Sequence, residues 1–127
     1  MRTDSVEEYY IKTSILKYMA RNCFALDLKN DPEIISEYEK YHEAVWPDIL
    51  QSLRDSGILE MEIYRVLNRL FMVVEGDESF SFEKKMILDK NNPRVQEWEE
   101  LMWNYQEGLP GLPPGSKWMP AKLVFKL

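Results

Sequence analysis

Apolar and polar positions along this chain follow two periods, and each change of period marks a boundary between elements. Arg21 to Leu28, RNCFALDL, is a short apolar run closed by Lys-Asn-Asp-Pro, which predicts a first strand ending in a turn. Asp31-Pro32 then starts a helix, because the aspartate can cap orphan N–H groups and proline suits the first helical position. Ile34, Ile35, Tyr38, Tyr41, Val45, Ile49 and Leu53 recur at three- and four-residue steps as far as Ser56-Gly57, with Gly57 a left-handed cap. Pro47 falls inside that pattern and predicts a kink, or a break at Trp46 with a fresh turn starting at Pro47-Asp48.

From Ile58 to Val66 the period drops to two, with Leu59, Met61 and Ile63 on one face and Glu60, Glu62 and Tyr64 on the other. Leu67-Asn68-Arg69 turns the chain into LFMVVEG, residues 70 to 76, so that two strands pair as an antiparallel hairpin. Helical spacing returns over Ser79 to Leu88, with Phe82, Met86 and Ile87 inward. It returns again from Asn92-Pro93, whose apolar stripe is Val95, Trp98, Leu101, Met102 and Tyr105. Residues 108 to 120, GLPGLPPGSKWMP, carry too much glycine and proline for regular structure and read as a stiff crossing loop. The closing AKLVFKL alternates Leu123, Phe125 and Leu127 with lysines and reads as a fourth strand.

The order β, α, β, β, α, β predicts a ferredoxin-like α+β fold, a four-stranded antiparallel sheet with its helices on one face. Two such sheets packed face to face make a dimeric α+β barrel. One domain is expected over residues 19 to 127, behind an N-terminal extension, residues 1 to 18, with only a faint helical period.

A chain of 127 residues suits one domain, and 45% hydrophobic with 30% charged residues describes an ordinary globular protein. The net charge of -6 comes from 22 acids against 16 scattered bases, which disfavours nucleic acid as a partner. The lone cysteine, Cys23, excludes an intrachain disulfide and reads as a small core residue, with a reducing cytoplasm the simplest compartment. No stretch is apolar for long enough to be a signal-peptide core or a membrane span, so neither secretion nor membrane insertion is expected.

The chemistry concentrates in EYEKYHEAVWPDIL, residues 37 to 50, which holds the chain's only histidine, His42. Helical spacing puts Tyr38 one turn before it and Trp46 one turn after, with Tyr41 beside them. An imidazole moves protons near neutrality, and phenols and indoles around it can cradle a sugar-like ligand. The blander reading is that a lone helical histidine is structural and that Tyr38, Tyr41, Trp46 and Trp98 are core. Glu37, Glu43, Glu97, Glu99 and Glu100 read as solvated helix faces, whereas Asp27 and Glu62 interrupt strands and are candidate bases. No pair of histidines makes a metal site, and GxGxxG, P-loop and GxSxG patterns are absent. What remains is non-covalent acid–base chemistry on a small ligand, or plain binding.

The spacing Tyr38, His42, Trp46, Pro47, followed by the strands SGILEMEIY and RLFMVVEG and the helix beginning RVQEW, resembles the rhamnose/fucose mutarotase family over residues 20 to 127. The resemblance implies a cofactor-free homodimer joined through its sheets, which interconverts the α and β anomers of a 6-deoxy-L-hexose. It implies His42 as the proton donor and Tyr38 as a wall of the sugar pocket, with Met61, Trp98, Glu99 and Trp46 as further contacts. Rhamnose-specific members carry a tyrosine where Met61 stands and a Trp-Trp pair where Trp98-Glu99 stands, so L-fucose rivals L-rhamnose as substrate. The complementary base is left among Asp27, Glu62 and water. Two other classes stay open beside this one: a non-catalytic ligand-binding module of the same fold, and a cofactor-free monooxygenase of the dimeric barrel type.

Overall fold

The structure, a computed structural model, describes residues 21–127; the expected N-terminal extension lies outside the described residues. The elements are β1 (Arg21–Leu28), α1 (Pro32–Tyr41), α2 (Pro47–Asp55), β2 (Ile58–Val66), β3 (Arg69–Gly76), α3 (Phe82–Lys90), α4 (Pro93–Met102), β4 (Gln106–Glu107) and β5 (Met119–Pro120). All pairings are antiparallel, in the order β2-β3-β1-β4, with β5 also on β1. This is the ferredoxin-like α+β arrangement that the alternation of elements predicts.

Local chemistry sets the helix starts. Asp31 accepts from the backbone N–H groups of Glu33 and Ile34 at 2.9 and 3.2 Å, and Asn92 does the same for Arg94 and Val95. Pro47 resolves the expected kink into a break: α1 stops at Tyr41, His42 is its C-cap, and α2 starts at Pro47. Gly57 follows the end of α2 at φ +96°, where a Cβ would lie 2.7 Å from an Asp77 carboxylate oxygen, so both conformation and space call for glycine.

The core lies between the helices and one face of the sheet. Leu28, Tyr38, Ile49, Leu70, Val95, Trp98, Met102 and Tyr105 form its larger cluster, and Phe24, Ile58 and Val74 a smaller one. Leu26, Leu28, Leu70 and Val74 are buried almost completely, each contributing roughly 1.5–3 kcal/mol of hydrophobic transfer energy.

Four expectations need correction. The fourth strand is not residues 121–127. Its place beside β1 is shared by β4, opposite Asp27 and Leu28, and β5, opposite Phe24 and Ala25, with the proline-rich loop between them. In that register Ala121 still donates to the Cys23 carbonyl at 2.7 Å, but no strand pairing continues through the residues after it. Leu123, Val124, Phe125 and Leu127 are accordingly exposed.

Leu59 is not paired in the ladder as Met61 and Ile63 are. The register shifts between Ile58 and Glu60, which leaves Leu59 the extra residue, 65% exposed, while Ile58 stays buried. Helix α3 runs Phe82–Lys90 rather than Ser79–Leu88, because the Ser81 hydroxyl caps it by accepting from the Lys84 N–H at 3.0 Å. It turns Met86 and Ile87 to solvent and leaves Phe82 only partly covered, against Phe24 and Phe80. Cys23 is half-buried rather than in the core, since its neighbour Phe24 takes the helix-facing side of β1.

Candidate active site

A cavity of about 570 Å³ opens between the helices and the helix-facing side of the sheet. Tyr38 and His42 from α1, Trp98 and Glu99 from α4, and Met61 from β2 line it. Five of the sequence candidates therefore meet in one place, where the rings of Tyr41 and His42, at the end of α1, meet Trp98 of α4 edge-on.

His42 is held tightly. Its ring stacks on Tyr38 at 4.3 Å between centroids and meets the Trp98 indole edge-on at 5.5 Å. Its Nδ1 lies 2.9 Å from the Tyr38 carbonyl oxygen. A carbonyl only accepts, so Nδ1 carries the proton and the lone pair sits on Nε2. Burial pushes the imidazolium pKa below its ordinary value, and the bond to the Tyr38 carbonyl only partly offsets this. At neutral pH His42 is thus an uncharged imidazole with Nε2 available as a proton acceptor.

Tyr38 is buried, at 3% exposure. Burial pushes its phenol up to about 12, moderated by a hydrogen bond with the Gln106 side chain. The pair therefore combines a neutral base and a proton-bearing phenol, with no charged partner between them.

Trp46 does not line the cavity. It backs Trp98 edge-on at 5.1 Å and is itself covered by the Arg94 guanidinium, 4.3 Å above its ring. Arg94 is held in turn by Asp48 at 3.0 Å and by Glu97. The proline break makes this contact possible, because Trp46 at the start of α2 leaves the stripe of α1.

Neither Asp27 nor Glu62 lines the cavity. Asp27 alternates with Leu26 and Leu28 and faces away from the helices, where Arg69 grips both its oxygens at 2.8 and 3.2 Å. Glu62 is exposed and accepts from the Tyr64 hydroxyl at 2.8 Å. The carboxylate residues on the cavity wall are Glu60, next to the bulge in β2, and Glu99, which pairs with Lys117 at 3.4 Å.

Sequence reasoning missed Gln106, Lys117 and Trp118, all on the cavity wall. Gln106 follows a helix end, and Lys117 and Trp118 sit in the proline-rich loop, so no periodicity marked them. Among the described residues no group of three or more His, Cys, Asp or Glu side chains could hold a metal ion, and no helix is long and apolar enough to cross a membrane.

Fold and site together define a ferredoxin-like α+β protein with a desolvated imidazole and phenol in an aromatic-walled pocket sized for a small polar ligand. A sequence model of the L-rhamnose mutarotase family matches residues 21–127. The chain belongs to that family, and with it to the isomerases of carbohydrate-epimerase type. It is 42% identical to the L-fucose mutarotase of Xanthomonas campestris pv. campestris over 111 residues, 86% of this chain and 89% of that protein. Among solved structures, the L-rhamnose mutarotase of Formosa agariphila superposes with a TM-score of 0.62 at 24% identity, covering 84% of this chain and 97% of that one. A dimeric ferredoxin-like protein from an uncultured marine organism gives 0.50 at 16% identity, over 84% and 90% of the two chains. At these identities the two structures speak for the fold alone.

Proposed function

We propose that this protein interconverts the α and β anomers of a 6-deoxy-L-hexose, with L-fucose favoured over L-rhamnose. The observation that carries the reading is the His42–Tyr38 pair: a neutral imidazole with its Nδ1 proton tied to a carbonyl, beside a protonated phenol in the same cavity. Ring opening needs a proton taken from the anomeric hydroxyl while another is given to the ring oxygen.

In the proposed step Nε2 of His42 takes the O1 proton, C1 becomes a carbonyl as the C1–O5 bond breaks, and the Tyr38 phenol protonates O5. Rotation about C1–C2 presents the other carbonyl face. The O5 hydroxyl then returns its proton to Tyr38 as it attacks C1, and the His42 imidazolium returns its proton to O1. Every atom is restored except the configuration at C1. His42 is the base in the opening half and the donor in the closing half. Phenols are far stronger acids than sugar hydroxyls, so Tyr38 is a competent donor even when raised to about 12.

Trp98 and Met61 offer apolar surface to a sugar face and to the C6 methyl. The preference for L-fucose rests on the name of the 42% identical relative, and on Met61 and Glu99 standing where rhamnose-specific members carry aromatic rings. Family membership favours the isomerase over a binding module or a monooxygenase. A cytoplasmic homodimer, joined through the sheet face that bears Tyr64 and Val66 at 55% and 60% exposure, completes the proposal.

Saturation-transfer NMR of anomeric exchange tests it, on L-fucose and L-rhamnose, with wild type and His42→Ala. Faster exchange with wild type and its loss in the variant are expected. If neither sugar exchanges faster with protein than without, the reading fails.

A further inference from the structure

The proline-rich loop brings one charged side chain to the active-site cavity. Lys117 donates to Glu99 Oε1 at 3.4 Å, and its ammonium lies 5.6 Å from the ring centroid of Trp103, one turn beyond Glu99. The loop does not need this pair to stay in place. Trp118, the next residue, is half-buried against both clusters of the core, and Met119 and Pro120 pair with β1. Both members of the ion pair are open to solvent, and an exposed pair contributes little to a fold.

The pair stands where the cavity ends. Glu99 and Lys117 are the two residues that line both the cavity of about 570 Å³ and a smaller pocket of about 330 Å³, whose other walls include Pro93, Gln96, Glu97 and Trp103. They form the partition between the two spaces. Among the described residues their side chains contact each other and Trp103, and neither is bonded to His42 or Tyr38. Each has bonding capacity left: Lys117 occupies one of the two carboxylate oxygens, and Glu99 takes one of the three ammonium protons.

An acceptor and a donor side by side match two hydroxyls on neighbouring carbons that stand on one side of a sugar ring, because a hydroxyl can both donate and accept. L-Rhamnose and L-fucose each have one such cis pair, in different places. In L-rhamnose it is O2–O3, beside the reacting C1. In L-fucose it is O3–O4, where O4 is axial on the carbon across the ring from C1. Groups at the partition, apart from the His42–Tyr38 unit, fit the pair that lies away from C1.

Resting on the mutarotase reading, we propose that Lys117 and Glu99 together determine the sugar preference: the carboxylate accepts from one hydroxyl of the O3–O4 pair and the ammonium donates to the other, which selects sugars with an axial O4. Neither hydroxyl changes its bonding as the ring opens. The contact is therefore equally strong in the ground and transition states, and its effect falls on KM rather than on kcat.

Four 6-deoxy-L-hexoses separate the two ring positions. O4 is axial in L-fucose and 6-deoxy-L-talose and equatorial in L-rhamnose and 6-deoxy-L-glucose, whereas O2 is axial in L-rhamnose and 6-deoxy-L-talose. Saturation-transfer NMR at several concentrations of each gives KM and kcat. We expect the axial-O4 sugars to share a KM roughly tenfold below that of the other two. Lys117→Met and Glu99→Ala should raise it to the level of the equatorial-O4 sugars, with the loss falling on KM, and Lys117→Arg, which keeps a cationic donor, should recover part of the difference.

A preference that follows O2, or one that survives both substitutions, overturns the role and leaves the pair a tie between loop and helix. A fall in kcat at constant KM overturns it as well, because the pair then acts by placing the loop. Titration of each sugar into ¹⁵N-labelled protein gives dissociation constants independent of turnover. A wild-type protein that speeds exchange of none of the four overturns the mutarotase reading, and the order of dissociation constants then decides the role of the pair by itself. Tighter binding of the axial-O4 sugars in wild type, lost in Lys117→Met, sustains it; any other order overturns it.

Discussion

The two faces of the sheet treat ionisable groups in opposite ways. On the helix-facing side, His42 and Tyr38 have no charged partner, and loss of water dominates, pushing the imidazole down and the phenol up. Both groups are kept neutral. On the far side, charge meets charge or a polar partner: Asp27 with Arg69, Arg21 with Glu75, and Glu62 with Tyr64. The difference teaches that burial without a counter-charge, rather than the presence of carboxylates, selects the face that can move protons near neutrality.

The largest test of that contrast is His42→Ala. Anomeric exchange should fall by roughly 100- to 10,000-fold, the range of positioned proton transfer. Loss of the same size on removing a far-face carboxylate would erase the distinction. Tyr38→Phe keeps the ring that stacks on His42 and removes only the hydroxyl, and should lower kcat by about 10- to 100-fold. An unchanged kcat would leave the ring oxygen to be protonated by water.

Acid and base titrations sharpen the same point. His42 must be neutral to accept a proton, so kcat/KM should stay level through pH 6.5 and fall only at a lower pH, where the buried imidazole finally protonates. Its contribution to stability is complete above pH 6.5. Below that the unfolded chain takes up a proton that the folded protein resists, and stability falls until the folded imidazole titrates too. Tyr38 has the opposite sign. Its contribution is complete below pH 10 and is lost between pH 10 and about 12, a change on the order of 2–3 kcal/mol. Urea unfolding at several pH values in wild type, His42→Ala and Tyr38→Phe separates the two.

Asp27→Asn should destabilise by about 1–2 kcal/mol, through a weaker bond to Arg69, and leave anomeric exchange within about twofold. Glu62→Gln keeps an oxygen that accepts from the Tyr64 hydroxyl on the sheet face proposed as the dimer seam, and should leave anomeric exchange within about twofold. A large loss of exchange in either would bring the far face into the site.

Much of this arrangement was legible in residue order. Periods of two and of three to four placed β1, β2, β3, α1 and α4 within a few residues, since each of these elements buries one face against the core. The caps Asp31 and Asn92 and the break at Pro47 are local events, settled by hydrogen bonds and ring geometry within a turn of the chain. The stacking of Tyr38 on His42 follows from a four-residue spacing on one helix. Helix α3 was misjudged for the complementary reason: it buries little, so its apolar residues carry no reliable phase.

Only the tertiary structure decided the rest, because it depends on which strand lies beside which. The ladder between β1 and its edge partners admits residues 106–107 and 119–120 and excludes the alternating tail that read as a strand. A register shift between Ile58 and Glu60 left Leu59 unpaired and exposed. Strand alternation turned Asp27 and Glu62 away from the cavity, and pairing with Leu28 turned Gln106 toward it. The sequence determined by itself that His42 and Tyr38 form one unit. What protonates, restrains and desolvates that unit comes from residues far away along the chain, whose positions follow from packing and have no local signature.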